Sequence, residues 1–498
     1  MEKGSKTGLS RRLYEEFRSR IADGTYVAGA VVPSTRALAV ERGLSRATVS
    51  LVYEQLAADG FIETFPGAAS RVVTGAAPAT LVTKLSNPIN EQAAASFMLG
   101  LSAIGERIST MALADWSPAR TGEIDFVYGP LAGSDFPSLN WMKAVRAVER
   151  QRGRRLEYED PLGNPDLRRE LQAHLSLTRG LVCSIDQLMI VNGSQQALDL
   201  CARLLTDPGD VVVVENPGYR MAHHVFEAYG AALQCVDVDN HGLVTDQLDG
   251  LGTVRLAYVT PTHQFPLGSF LPIARRRQLL DWAALRKVWI IEDDYDSEYR
   301  YAVRPEETLQ SLDARGCVIH IGTFSKTLSP QLRLGYLVLP KPLIKIFAAA
   351  KRLTDRHTAT GVQRALALLL ETGGYNRHVR RIRRLQQARQ NALVKALDMH
   401  LGGQVEVQGA ASGLHLVVWF RSLPANVEQL LVEAALQRGV RVYPISSLFN
   451  PCRPSWEKRQ LAGLVMGYAL LEPETIEIGV RHVAEALFAV REMICQAR

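Results

Sequence analysis

A lysine and several phosphate-binding side chains lie together after an apolar run at 318–321. Lys326 ends the sequence Thr323-Phe324-Ser325-Lys326, and Arg333 follows seven residues later. A lysine near apolar walls and other cations can have a lowered pKa and can then form a Schiff base with a carbonyl compound. Thr323, Ser325 and Arg333 supply donors for a phosphate group. A lysine alone is more often a surface residue, so the assignment depends on its neighbours.

A carboxylate and two aromatic hydroxyls follow two other apolar runs, at 288–291 and 211–214. Asp293 can hold a pyridine nitrogen protonated, which makes the ring withdraw electrons. Tyr295 can donate a hydrogen bond to the phenolate oxygen of the same ring. Tyr219 follows the earlier run and is placed to stack on the ring. Taken singly, the carboxylate is more typical of a helix cap and Tyr219 of a core.

A turn suited to phosphate follows the run at 188–191. Gly193, Ser194 and Gln195 form a Gly-Ser turn that opens a helical pattern. Backbone N–H groups at the positive end of a helix dipole bind phosphate, although such a turn is also a common cap. Phosphate turn, aromatic ring, carboxylate and lysine therefore follow separate runs, in that order. The order predicts a pyridoxal 5′-phosphate site with Lys326 as the catalytic residue.

Six apolar runs alternate with helical patterns in this part of the chain. Such runs predict a largely parallel sheet covered by helices on both faces. Ligands of these sheets bind beyond the carboxyl ends of the strands, where the candidate residues fall. The sequence thus predicts an α/β pyridoxal-phosphate-dependent transferase domain at 119–498. The runs are at 188–191, 211–214, 255–259, 288–291, 318–321 and 334–338.

The beginning of the chain, at 8–75, has a different pattern. Its apolar spacing predicts three short helices followed by two strands joined at a turn. Helix, turn, helix and β-wing together form a winged helix-turn-helix, whose second motif helix enters the major groove of DNA. The helical patterns lie at 9–22, 34–42 and 44–60, and the strands at 61–64 and 71–74, around Pro66 and Gly67.

Polar side chains at the start of the third helix are the predicted DNA readers, and Ser45 is also its predicted N-cap. Arg36 can contact a backbone phosphate, and Gly67 lies at the tip of the wing. Residues 1–75 hold ten Lys and Arg against eight Asp and Glu, so their net charge is +2. Binding of double-stranded operator DNA is therefore predicted from the pattern more than from charge; the alternative is three helices that pack without touching DNA. The exposed readers are Ser45, Arg46, Thr48 and Ser50.

Composition limits the remaining possibilities. The 498 residues are 47% hydrophobic and 22% charged, so two or three globular domains are expected, with a linker at 76–118. No run of 18 apolar residues and no signal-peptide core occur, which predicts a cytoplasmic protein without a membrane partner. The six cysteines lack CxxC spacing, so neither disulfides nor a metal site are expected. A net charge of +6 permits DNA as a partner.

The first module resembles the GntR family of bacterial regulators. The resemblance lies in PSTRALA at 33–39, LSRATV at 44–49, YEQL at 53–56 and GFI at 60–62. It implies operator binding as a homodimer, and hence association with the nucleoid. One departure is the wing tip, where Ala68 and Ala69 follow Gly67 and the second glycine typical of the family is missing.

The whole chain resembles the MocR/GabR subgroup, which joins such a headpiece to a fold-type I aminotransferase-like domain. The motifs are TPTHQFPLG at 260–268, EDDYDSEYRY at 292–301 and GTFSKTLSPQLR at 322–333. The resemblance implies a head-to-tail, domain-swapped dimer. It also implies that Tyr158 reaches the phosphate of the neighbouring subunit; a tyrosine that packs between helices is the alternative.

Two positions depart from working aminotransferases. Phe265 precedes Pro266 where those enzymes carry asparagine, as in the regulator subgroup. Ser447 stands where amino-acid-sensing members carry the arginine that binds the substrate carboxylate, and Arg441 or Arg453 are candidates to replace it.

These features predict a transcriptional regulator that senses a small molecule at the Lys326 aldimine. The effector candidates are pyridoxal phosphate itself, an amine, an amino acid or a sulfonate. The alternative is an active aminotransferase with an accessory DNA-binding domain, and a third possibility is a DNA-binding protein without the cofactor. The arginine-rich segment at 377–389 is interpreted either as a contact to flanking DNA or as a solvated helix face.

Overall fold

A computed structural model describes residues 6–65, 68–73, 100–113, 119–151, 157–301, 307–450 and 460–496. The chain divides into two compact units, Met1–Leu101 and Ser102–Arg498. We call them the headpiece and the transferase unit and describe each by itself. In the described part of the chain, no helix is both long and apolar enough to cross a membrane.

The headpiece has the predicted order of three helices and a two-stranded hairpin. Ser34 accepts a hydrogen bond from the backbone N–H of Ala37, and Ser45 accepts one from that of Thr48, both at 3.1 Å. These contacts confirm Ser45 as an N-cap. The strands are only two residues long, shorter than predicted. The elements are α1 (Lys6–Ala22), α2 (Thr35–Arg42), α3 (Arg46–Ala58), β1 (Ile62–Glu63) and β2 (Arg71–Val72).

One small core holds the headpiece together. Helices α1 and α3 contribute apolar side chains at helical spacing, and each strand of the hairpin adds one buried residue. The hydroxyl of Tyr53 donates to the carbonyl oxygen of Pro33 at 2.7 Å, which links α3 to the segment before α2. The buried residues of the two long helices are Leu13, Phe17, Ile21, Val49, Val52, Tyr53 and Leu56.

The transferase unit contains twelve α-helices and fourteen strands among its described residues. The helices are α4 (Ala103–Ser109), α5 (Ser138–Arg150), α6 (Pro165–Arg179), α7 (Ser194–Leu205), α8 (Arg220–Ala228), α9 (Ile273–Arg286), α10 (Leu309–Leu312), α11 (Ile344–Thr354), α12 (Thr360–Glu371), α13 (Gly374–Leu401), α14 (Glu428–Leu436) and α15 (Pro473–Gln496). The strands are β3 (Ile124–Asp125), β4 (Leu188–Val191), β5 (Val211–Asn216), β6 (Ala232–Asp239), β7 (Gly242–Leu243), β8 (Leu256–Val259), β9 (Trp289–Asp294), β10 (Val318–Thr323), β11 (Gly335–Val338), β12 (Val405–Gln408), β13 (His415–Pro424), β14 (Val440–Arg441), β15 (Tyr443–Pro444) and β16 (Leu461–Gly467).

An eight-stranded sheet forms the centre of this unit, in the order β4-β11-β10-β9-β8-β5-β6-β7. The neighbours among β6, β5, β8, β9 and β10 run parallel, whereas β11 is antiparallel to both β10 and β4. The prediction of a largely parallel sheet is therefore confirmed. Since β4 and β10 both oppose β11, their carboxyl ends lie at the same edge as that of β9.

A second, antiparallel sheet has the order β12-β13-β16-β15. Its buried face packs with α13, α14 and α15 in a separate apolar core. This part was not apparent from the sequence, because its strands are interrupted by helices and by short irregular segments. It supplies His415 at the start of β13, which returns to the central sheet's edge.

The predicted linker at 76–118 lies largely outside the described residues. Its described part contains α4, and Arg107 Nε of that helix donates to the carbonyl oxygen of Ala228 at 2.8 Å. Helix α4 is therefore packed against the transferase unit and belongs to it. The transferase unit thus includes the described part of the linker from Ser102, and the rest of the linker stays a prediction.

We expect Leu56→Ala to destabilise the headpiece by about 2–5 kcal/mol, because it leaves a cavity in a small core. Leu56 is 0% exposed, whereas Leu51 on the same helix is 58% exposed. Leu51→Ala is therefore the matched control, with an effect of about 0.5 kcal/mol or less. Hydrogen exchange of α1 and α3 amides in the full-length protein measures both changes. Equal effects of the two substitutions would contradict the assignment of this core.

Candidate functional site

A cavity of about 370 Å³ opens at the carboxyl edge of the central sheet. The strand register brings Asp294 beside Gly322, and Thr323 beside Gly335, so the segments after β9 and β10 meet there. Nine of the eleven residues expected to bind the cofactor line this cavity. They are Ser194, Gln195, Tyr219, Asp293, Tyr295, Thr323, Ser325, Lys326 and Arg333.

Lys326 lies in the turn that follows β10. Its Nζ donates to the carbonyl oxygen of Gly129 at 2.9 Å. Loss of solvent lowers the pKa of this amine, while the nearby carboxylates of Asp296 and Asp293 act in the opposite direction. A lowered pKa increases the neutral fraction of the amine, which is the nucleophilic form.

Asp293 is the last residue but one of β9, and its side chain lines the cavity. Its Oδ2 accepts a hydrogen bond from the hydroxyl of Tyr258 at 2.8 Å. Its Oδ1 is buried and has no hydrogen-bond partner among the described residues. Burial raises the pKa of this carboxyl group to about 6, although the Tyr258 contact opposes the rise. A buried carboxylate oxygen without a partner suits a protonated ring nitrogen.

Asp294 has a structural role instead. Successive strand residues face opposite sides of the sheet, so its side chain points away from the cavity. It pairs with Arg179 Nε at 3.1 Å and accepts from the Ser297 hydroxyl at 2.7 Å. The two adjacent carboxylates are therefore separated by the sheet.

The turn before α7 has the geometry of a phosphate cradle. Gly193 has φ 80°, and a Cβ added there would lie 2.8 Å from Arg333 Nη2. Arg333 Nη2 in turn donates to the carbonyl oxygen of Asn192 at 2.9 Å. Only glycine allows the backbone and the guanidinium to approach this closely. The first N–H groups of α7 and the arginine thus converge on one point, as phosphate binding requires.

Four aromatic rings form part of the wall of the cavity. Phe265 lies 5.8 Å from Tyr219, 6.1 Å from Tyr295 and 5.6 Å from Tyr128, measured between ring centroids. These contacts hold the rings in fixed orientations. Phe265 therefore adds an apolar ring to the wall at the position where working aminotransferases carry a hydrogen-bonding asparagine.

The sequence reasoning missed a polar cluster beside Tyr295. The Tyr295 hydroxyl and Asp296 Oδ2 each lie 2.9 Å from His263 Nδ1. His415 Nε2 lies 3.0 Å from the carbonyl oxygen of Pro266, and burial lowers the pKa of this imidazole to about 3. The TPTHQFPLG motif contains His263 and could have indicated it, but His415 comes from a distant strand and gave no local signal.

Tyr158 does not reach the cavity of its own chain. Its side chain is 72% exposed, and the Arg356 guanidinium carbon lies 4.1 Å from its ring centroid. Its contact with a cofactor phosphate therefore stays a prediction that concerns a second subunit.

Arg441, one of the two candidate arginines for a substrate carboxylate, does not line the cavity. Ser447 donates its hydroxyl to the carbonyl oxygen of Pro444 at 2.8 Å. Arg441 Nη2 pairs with Glu123 at 3.1 Å. Arg453 lies outside the described residues. Among the described residues that line the cavity, Arg333 is the sole arginine.

The predicted DNA readers are only partly exposed. Arg36, Ser45 and Arg46 are exposed, whereas Thr48 and Ser50 are half-buried. The prediction that all four side chains at the start of α3 are exposed is wrong. Thr48 shares a groove with α1, and Ser50 borders the buried stripe of α3. The Ser45 hydroxyl caps the helix, and Gly67 lies outside the described residues.

The whole arginine-rich segment at 377–389 lies on α13, and several of its members have partners in the fold. Arg389 pairs with Asp135 at 2.5 Å, and Arg383 Nε donates to the carbonyl oxygen of Glu298 at 2.7 Å. Arg381 donates to the carbonyl oxygen of Asp135. These contacts favour a role in packing for this part of the segment.

Each of the two units matches a known protein family. The family model for bacterial regulatory proteins of the gntR family matches residues 9–72, and that for aminotransferase class I and II matches residues 128–462. The chain is 33% identical to the probable rhizopine catabolism regulatory protein MocR of Rhizobium meliloti, over 98% of this chain and 96% of that protein. The chain belongs to the MocR type of GntR-family regulators. It is a transcriptional regulator with a DNA-binding headpiece and an aminotransferase-like unit, as predicted.

Other relatives extend this result. The MocR-type chain is 32% identical to the HTH-type transcriptional regulator TauR of Rhodobacter capsulatus, over 97% of both chains. The α-aminoadipate aminotransferase LysN of Thermus thermophilus, complexed with N-(5′-phosphopyridoxyl)-L-leucine, superposes with a TM-score of 0.67 at 26% identity. This alignment covers 81% of this chain and 99% of that one.

The cofactor of this MocR-type unit is pyridoxal 5′-phosphate, as predicted. The residues present fit it, since Asp293 with its unpartnered buried oxygen, Arg333 and the desolvated Lys326 line one cavity, and the glycine turn lies against Arg333. When bound, the cofactor supplies a carbonyl carbon that captures primary amines and a ring that withdraws electrons. Arg333 and the start of α7 would hold the phosphate, Asp293 the ring nitrogen, and Lys326 the carbonyl carbon.

We expect Asp293→Asn to change how the stability of the cofactor-free transferase unit depends on pH. Between pH 3.8, the ordinary value, and about 6, the unfolded carboxyl ionises before the folded one. The free energy of unfolding of the wild type therefore falls by about 3 kcal/mol as the pH rises through this window. That of the Asp293→Asn variant does not, because asparagine carries no charge.

The free energy of unfolding from urea denaturation between about pH 4.5 and 7.5 measures this difference. The advantage of the variant should grow with pH and level off above about pH 6. Burial raises the pKa of Glu215 to about 7, and Asp293 adds to that rise, so the comparison is made in a Glu215→Gln background. A difference that does not vary with pH would contradict the burial of an unpaired carboxyl group.

Proposed function

We propose that this regulator changes its affinity for operator DNA when a small molecule binds at the pyridoxal phosphate held by Lys326. The observation that carries the proposal is the composition of the cavity. It is lined by nine of the eleven expected cofactor-binding residues but, among its described lining residues, by no arginine beyond the one facing the phosphate turn. Such a site suits capture of a ligand better than turnover of amino acids.

The residues of the cavity have separate roles in binding the cofactor. Arg333 and the turn at Gly193 bind and orient the phosphate, and Asp293 holds a proton on the ring nitrogen. Lys326 would hold the carbonyl carbon of the cofactor, a group that can also bind an incoming primary amine. Tyr295 shares its proton with the cluster of His263 and Asp296, so that cluster influences the charge on the ring oxygen.

The electrostatics of the cavity favour an amine as effector. Arg333 is committed to the phosphate, and Lys326 is committed to the cofactor carbonyl. The nearby Asp296 carboxylate then faces the space that remains, and its pair with His263 at 2.9 Å is buried. The negative charge of Asp296 would repel a carboxylate or a sulfonate there, whereas it would attract a protonated primary amine. Pyridoxal phosphate itself and an amino acid remain outcomes of the test.

The DNA-binding role is proposed for a homodimer. The headpiece presents Arg36 and Arg46 to solvent, and a dimer would place two such α3 helices on adjacent half-sites. The exposed ring of Tyr158 supports a head-to-tail arrangement in which it reaches the phosphate of a second subunit. An effector controls operator affinity only if it binds the two states of this dimer with different affinities.

The alternative function is an aminotransferase with an accessory headpiece. The 26% identity to LysN and the intact cofactor site favour it. A turnover assay with amino donors and keto acids separates the two functions. Sustained product formation supports the enzyme, while operator release without turnover supports the regulator.

We expect Arg46→Ala to weaken operator binding about five- to 150-fold, because one arginine contact to guanine contributes about 1–3 kcal/mol. The test duplex is a DNA sequence that the wild-type protein enriches from a pool of random duplexes. Fluorescence anisotropy at a fixed salt concentration measures the affinity of each variant for it. Arg18→Ala is the matched control, because Arg18 is an exposed α1 arginine that pairs with Glu15 at 3.5 Å. Equal losses for both variants would contradict reading by α3.

We expect primary amines without a carboxylate to change the visible absorbance of the bound cofactor at lower concentrations than common α-amino acids do. The reason is the negative charge of Asp296 and the lack of a carboxylate partner among the described lining residues. Titration of the purified protein with paired ligands, such as an amino acid and its decarboxylated amine, measures the preference. A preference for the amino acid of each pair would contradict the amine assignment.

A further inference from the structure

A second buried lysine, Lys351, lies on α11 near the phosphate turn and outside the cavity. Its side chain is 0% exposed. Its Nζ donates to both carboxylate oxygens of Asp355, at 3.0 and 2.9 Å, and to Gln196 Oε1 at 3.1 Å. All three ammonium hydrogens therefore have acceptors, as a buried cation requires. We refer to Lys351 and Asp355 as the buried pair.

The buried pair holds Asn192, the first residue of the phosphate turn. Asn192 Nδ2 and Gln196 Nε2 donate to the same oxygen of Asp355, at 2.6 and 2.7 Å. The backbone N–H of Asn192 donates to Gln196 Oε1 at 2.8 Å. Both the side chain and the backbone of Asn192 are therefore fixed by groups that Lys351 orients.

The other side of the turn faces the cavity. The carbonyl oxygen of Asn192 accepts from Arg333 Nη2 at 2.9 Å, and the next residue is Gly193, whose φ is 80°. The turn is thus held between the phosphate arginine and the buried pair. Because Lys351 and Gln196 do not line the cavity, they would act on the cofactor only through the shape of the turn.

The same network continues toward Tyr158. Asp355 directly precedes Arg356, whose guanidinium carbon lies 4.1 Å from the Tyr158 ring centroid. The ring of His357 lies 6.0 Å from that of Tyr158. Asp355 therefore contacts the phosphate turn and is adjacent in sequence to the residues of this exposed edge.

We propose that Lys351, Asp355 and Gln196 are positioning residues for the cofactor phosphate, which hold the phosphate turn in its binding shape and link its occupancy to the edge formed by Arg356 and Tyr158. Networks of hydrogen bonds in a protein interior stabilise one geometry when every member has a partner. Here each donor of Lys351 is used, so the turn is held in place before the phosphate arrives.

Two substitutions test this role. Lys351→Met removes the cation, and Gln196→Met removes the bridge while it keeps the buried pair. Titration of the cofactor-free, full-length protein with pyridoxal 5′-phosphate, followed by visible absorbance, gives the dissociation constant. We expect both variants to bind about tenfold more weakly or worse, the size of effect seen when residues that orient ligand-binding groups are removed elsewhere.

A different buried pair, which has no hydrogen bond to the phosphate turn among the described residues, provides the control. Arg389 and Asp135 form a pair at 2.5 Å with side chains 4% and 6% exposed. Arg389→Met should lower the thermal unfolding midpoint but leave the cofactor dissociation constant within about twofold of wild type. Since Lys351→Met can fail to fold, Gln196→Met decides the question alone. Wild-type affinity in Gln196→Met would overturn the proposal.

A second measurement separates positioning from stability. Hydrogen exchange of the segment at 355–360 should slow when the wild-type protein binds the cofactor, because the turn and Asp355 are connected. In Gln196→Met with saturating cofactor, this slowing should be lost while the helices that cover the sheet keep their protection. Equal slowing in wild type and variant would contradict the link to the Tyr158 edge.

Discussion

The common direction of β4, β9 and β10 is the constraint on which the cofactor site depends. Each strand ends at one edge of the central sheet, and each is followed by a different functional group: the turn at Gly193, the carboxylate of Asp293 and the amine of Lys326. The antiparallel β11 inserted between β4 and β10 preserves this direction. Because the groups come from distant parts of the chain, the order and direction of the strands bring them together.

Burial then gives these groups their chemistry. The sheet edge excludes solvent from Asp293 and Lys326, and this loss of solvent shifts both pKa values toward the neutral forms. A cofactor that brings a ring cation to Asp293 and a phosphate to Arg333 supplies charges complementary to those of the cavity. We propose that the negative Asp296 beside the remaining space makes the site discriminate among incoming ligands by charge.

Much of this arrangement was predictable from sequence because the signals are local. The N-cap Ser45, the helical spacing in α1 and α3 and the apolar central strands follow from patterns a few residues long. The motifs around Asp293 and Lys326 were also sufficient to indicate the cofactor. Thr48 and Ser50 were assigned wrongly as exposed, since their burial depends on how α1 packs on α3 and on the orientation of the buried stripe.

The sequence by itself determined the types and order of the chemical groups, and hence the cofactor and the family. Only the tertiary structure decided which of them meet. It placed Arg441 against Glu123, and it brought His263 to Tyr295 and His415 to the cavity from another sheet. It also revealed the contacts of Lys351 with the phosphate turn. Contacts between residues far apart in the chain depend on how the strands are ordered, and no local pattern records that order.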